Sequence, residues 1–139
     1  MKHLSTLLAL LALLLPCSLR AASEEKENPI DAELEAAMEK NPSTSGMVHA
    51  LGIARDKWDK EMNATYKKLK ETMEAEDFRQ LVAAQKAWLA YRDAQVEQIG
   101  NYFGKKEGTV NRVNAASLIT DLTKSRALFL KSLLEGAEE

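Results

Sequence analysis

From Met47 onward, apolar or half-apolar side chains return at every third or fourth position: Met47, Leu51, Ala54, Trp58, Met62, Thr65 or Tyr66, Leu69 and Met73. After a break, Phe78, Leu81, Gln85, Trp88, Arg92, Val96, Ile99 and Phe103 continue the pattern. This is the repeat of one helical face, and no segment shows the alternation and β-branched enrichment of a strand, so the expected class is all-α. Glu74-Ala75-Glu76-Asp77 offers no apolar side chain larger than alanine and places the turn of an antiparallel helical hairpin. Gly104 is the expected stop of the second long helix. Beyond a loop at residues 105–110, Asn111 or Thr109 can cap a C-terminal helix. Its expected apolar row is Ala115, Leu118 or Ile119, Leu122, Arg126, Phe129 and Leu133, ending near Gly136. Asn28 before Pro29, followed by Asp31, Glu33 and Glu35, predicts a short N-terminal helix over 29–40. The turn cluster Asn41 to Gly46 separates it from the next helix. Together these predict a small helical bundle: the hairpin, a C-terminal helix and a short N-terminal one.

The start of the chain stands outside that fold. Lys2 and His3 precede an apolar run from Leu4 to Leu15, Pro16 ends it, and Ala21 and Ala22 follow. A basic start, an apolar run too short for a membrane span and a small-residue exit predict a signal peptide over 1–22, cleaved near Ala21 or Ala22. Lipid attachment at Cys17 is disfavoured because Pro16 holds the position normally taken by a small residue. Residues 23–28 form a charged leader with nothing to bury, and 29–139 form one domain.

Removing the signal takes Lys2 and Arg20 from the 19 basic residues and leaves 21 acidic ones, a net charge of −4. That sign argues against nucleic acid as a partner and against binding to anionic lipid. After signal cleavage no cysteine remains and His49 is the sole histidine, which excludes thiol nucleophiles and zinc sites built from Cys and His. No glycine-rich phosphate loop is present, and Lys67, Lys68 and Lys70 are spread around a helix beside acids. No cofactor, metal or catalytic group is expected, so the chain reads as a binding protein and not an enzyme.

The polar residues of the hairpin fall into register. If it turns near residue 75, Tyr66 lies opposite Gln85, Asn63 opposite Trp88 and Asp59 opposite Arg92, with Asp93 on an adjacent face. A half-buried arginine needs a carboxylate or carbonyls around its fork, and Asp59 is the nearest candidate. The expected role of this seam is structural, fixing helix register at some cost in stability.

These stretches resemble the LprI-like family, small exported proteins named after a lysozyme inhibitor. The family pattern appears as Asp59, Met62-Asn63, Tyr66, Leu69, Gln85, Trp88, Arg92 and Asp93, with Thr123 and Arg126 matching a late Thr-x-x-Arg. The resemblance implies export, a helical fold and lysozyme as a protein partner. Members usually carry cysteines that staple the helices; the matching positions are Ala32, Ala50, Val96 and Leu118, so packing is expected to replace the cross-links. An inhibitor should present a protruding element, and the segment from Asn101 to Gly108 is the expected partner-binding loop, with Tyr102 as anchor beside Lys105 and Lys106. The alternative is a periplasmic adaptor or structural module with another protein partner.

Overall fold

The computed structural model describes residues 28–137; the expected signal and nearly all of the charged leader lie outside them. Four helices run α1 (Pro29–Lys40), α2 (Thr44–Thr72), α3 (Ala75–Gly104) and α4 (Val110–Ala137), with no strand among the described residues. None of them is long and apolar enough to cross a membrane.

Local chemistry explains the boundaries. Asn28 caps α1, its side chain accepting from the Ile30 N–H at 2.9 Å, and Pro29 occupies the first helical turn, where its missing N–H costs nothing. Ser43 caps α2 by accepting from the Gly46 N–H at 3.1 Å. The α2–α3 turn is shorter than the expected four residues: only Met73 and Glu74 leave the helices. Glu76 and Asp77 belong to the first turn of α3, where carboxylates are favoured by the helix dipole. Between α3 and α4, Gly108 takes φ +92, a left-handed conformation that suits glycine. Asn111 bonds back to the Glu107 and Gly108 carbonyls at 2.6 and 3.3 Å. The Thr44 hydroxyl donates to that of Thr109 at 3.1 Å, tying this turn to the start of α2.

The principal neighbour of α2 is α4, although α2 and α3 are consecutive. Antiparallel α2 and α3 make few close backbone approaches, and side chains span the gap between them: the Tyr66 and Phe78 rings lie 5.4 Å apart. Helix α4 runs parallel to α2 and also packs on α3; the buried Thr120 hydroxyl donates to the Leu51 carbonyl at 3.1 Å. The core consists of Trp58, Met62, Leu69, Leu81, Ala127 and Leu130. Each large side chain buried in this way contributes roughly 1.5–3 kcal/mol.

The apolar rows of α2 and α3 are those read from the sequence; on α4 the expected Ala115, Ile119, Leu122, Arg126 and Leu133 are half-buried, and the fully buried row lies beside them. Thr120, Thr123, Ala127 and Leu130 are buried, whereas Leu118 and Phe129 are 44% and 50% exposed. Helix α4 carries apolar side chains around most of its circumference, and the larger ones on the outer side obscure a row of small residues that lets it approach α2 closely.

Helix α1 docks on α2. Ile30 packs against the core, Lys124 meets Asp31 at 2.8 Å, and Lys57 pairs with Glu33. Of the positions matched to family cysteines, Ala50 is buried and Val96 half-buried, but Ala32 and Leu118 are exposed. Packing therefore does not simply replace the cross-links: two of the four sites have little neighbouring structure to pack against.

Candidate functional site

The motif residues meet along the junction of the three long helices, though not in the expected pairs. Asn63 turns along its own helix, donating to the Asp59 carbonyl at 2.8 Å and carboxylate at 3.0 Å. Tyr66 packs on Phe78 instead of meeting Gln85. The Gln85 amide donates to the Met62 sulfur at 3.8 Å and accepts from Arg126 Nε at 2.9 Å, linking all three helices. Arg92 pairs with Asp93, its Nε and Nη2 donating to one carboxylate oxygen at 3.0 and 2.7 Å.

Asp59 and Arg92 line one cleft with Thr123, but they form no ion pair. The local bonds made by Asn63 and Asp93 displace the expected one, because neighbours on the same helix reach each partner without crossing the gap between α2 and α3. Asp59→Ala is accordingly expected to cost about 1 kcal/mol or less in urea unfolding, the range of exposed polar pairs. A loss of about 3 kcal/mol or more would show that the carboxylate balances a buried charge.

Arg126 is the unusual group. Its guanidinium lies 5.9 Å from the Trp88 ring centre and 5.1 Å from that of Phe129, and Arg92 approaches the same indole at 5.4 Å. Nη2 of Arg126 is buried with no hydrogen-bond partner among the described residues. Burial pushes this guanidinium below its ordinary pKa. An amide oxygen and two aromatic faces thus compensate a half-buried cation that lacks a carboxylate. Such an arrangement holds three helices in register, and it presents no nucleophile with an adjacent base. No group of three or more His, Cys, Asp or Glu among the described residues is placed to hold a metal.

The expected partner loop is a compact tip. Tyr102, in the last turn of α3, is 54% exposed; Lys106 Nζ lies 4.4 Å from its ring centre, and Phe103 meets it edge-on at 5.1 Å. Lys105 and Lys106 line the same open surface as Tyr102. The structure therefore brings these three together, on a helix end and a tight turn in place of a long loop.

Among the features that escaped sequence reasoning are the Asp31–Lys124 pair, the Gln85–Arg126 bond and the buried Thr120. Thr120 could have been found: Ala116, Thr120, Thr123, Ala127 and Leu130 recur at spacings of three and four, a helical row concealed by its hydroxyls.

A family model described as lysozyme inhibitor LprI matches residues 31–130. An uncharacterized protein of Rhizobium meliloti (strain 1021) is 32% identical over 93 residues, covering 58% of this chain and 66% of the relative. The crystal structure of an uncharacterized protein from Burkholderia thailandensis superposes with a TM-score of 0.77 at 24% identity, over 81% of this chain and 56% of the other. The chain thus spans just under two thirds of the relative and little more than half of the structural neighbour. The neighbour supports the helical architecture, and the family match runs from α1 through most of α4: the chain belongs to the LprI lysozyme-inhibitor family.

Proposed function

We propose that this chain is an exported inhibitor that binds a lysozyme and acts by occlusion, without chemistry of its own. The family match over residues 31–130 carries this reading. Lysozymes cleave a glycosidic bond between two carboxyl groups in a cleft. The Tyr102–Lys106 tip suits such a cleft: an exposed aromatic ring supplies contact area at low entropic cost, and two ammonium groups face the carboxylates. The net acidity of the rest of the exported chain favours encounter with a basic enzyme, while the tip supplies the opposite local charge.

Mixing the purified protein with lysozyme and following lysis of cell-wall suspensions is expected to show saturable inhibition and a complex on size exclusion. Tyr102→Ala should weaken inhibition by about 10- to 100-fold, the scale of a contact hot spot. Neither inhibition nor complex at about 100 μM, a concentration that detects even weak association, would overturn the inhibitor reading. Undiminished inhibition by Tyr102→Ala would instead move the contact away from the tip.

A further inference from the structure

Away from the α2–α3 turn, the three long helices form an open groove of about 480 Å³, lined chiefly by Val48, Phe103, Ala116 and Ile119. We propose that it takes the hydrocarbon chain of a free fatty acid, with the carboxylate held at Arg55 and Arg112.

The volume lies within the range of small-molecule pockets, about 300–1,000 Å³. Gly52 on α2 and Gly100 on α3 line it, and a Cβ at either would meet nothing within 4 Å. A helical glycine costs about 0.5–1 kcal/mol relative to alanine, and no close packing among the described residues requires either one. Their effect is to keep the space open.

The polar lining has one sign. Arg55 and Arg112 are its charged residues, and no carboxylate among the described residues lines the groove, in a protein whose acids outnumber its bases. Arg112 forms no ion pair among the described residues, and Arg55 has only its exposed neighbour Asp56 at 3.3 Å. The remaining polar donors of the wall are engaged internally: the Thr120 hydroxyl with the Leu51 and Ala116 carbonyls, and the Asn111 amide with its own turn. An apolar groove bearing two exposed guanidiniums is complementary to an elongated apolar molecule with one acidic group.

The test titrates protein purified from its native cells with dodecanoate, with dodecanol and with phosphatidylglycerol vesicles, following displacement of a fluorescent fatty acid. Saturable binding of dodecanoate below its micellar concentration is expected, at least about tenfold tighter than that of the alcohol. Arg55→Ala with Arg112→Ala should abolish that preference. Gly52→Leu and Gly100→Leu should each weaken dodecanoate binding by about tenfold or more without lowering the thermal midpoint, because the new side chains enter open space. Equal affinity for acid and alcohol, absence of saturable binding, or unchanged binding by both filled variants would overturn the proposal. Binding to vesicles without binding to the free acid would do the same, and would assign the cations to a membrane surface. The comparison of acid with alcohol uses the unaltered protein, so it stands even if a variant fails to fold. The lysozyme assay reads Tyr102, Lys105 and Lys106, none of which lines the groove, so the two readings fail separately.

Discussion

Leu130→Ala is expected to destabilise the protein by about 2–5 kcal/mol, while Phe129→Ala, one residue away and a larger deletion, costs about 1 kcal/mol or less. Leu130 has no exposed surface and belongs to the cluster that joins α4 to α2 and α3. Truncating it leaves a cavity in a region closed on every side. Phe129 is half exposed and loses mainly its contact with the Arg126 guanidinium, a weak one at such a site. Urea unfolding of both variants provides the check, with equal slopes required for the comparison. In thermal unfolding the Leu130 variant should fall by about 10 °C or more. Equal losses at the two positions would mean that α4 is rotated about its axis relative to the packing described above.

Trp58→Ala should cost about 3–5 kcal/mol, and Trp58→Phe about 1 kcal/mol or less. The indole is 2% exposed and packs within the core, with Lys124 Nζ at 5.6 Å from its ring centre. Its N–H is buried with no hydrogen-bond partner among the described residues. A buried unpaired donor costs about 1–3 kcal/mol. Phenylalanine removes that donor while retaining most of the ring, so the lost packing and the relieved desolvation largely offset each other. Alanine retains neither ring nor packing. Chemical unfolding of the two variants distinguishes the contributions: a Phe variant as weak as the Ala variant would show that the N–H is satisfied.

Much of the fold was legible in the sequence because α1, α2 and α3 each obey simple local rules. Asn28-Pro29 marks a helix start, Gly104 a helix end, and Leu51, Ala54, Trp58, Met62 and Leu69 form one continuous stripe. Helix α4 was harder to read for a definite reason. Periodicity weighted by hydrophobic size favours Leu118 and Phe129, whereas close helix approach favours Thr120, Thr123 and Ala127, whose hydroxyls and small volumes score poorly as core. The polar seam was legible as a set of residues but not as a set of bonds. Consecutive helices joined by a short turn suggest direct pairing of Asp59 with Arg92, and nothing local reveals that α4 packs on both helices. Once it does, Arg126 takes Gln85, and Asp59 and Arg92 settle on partners within their own helices.

The placement of α4 also governs the order in which the molecule can assemble. The buried bond between Leu51 and Thr120 spans 69 residues, and α2 and α3 have little backbone contact with each other. Most of the burial along α2 waits for the last of the four helices, so loop closure must precede it. Because α4 comes last in the chain, the packing of α2 is completed only at the end of synthesis.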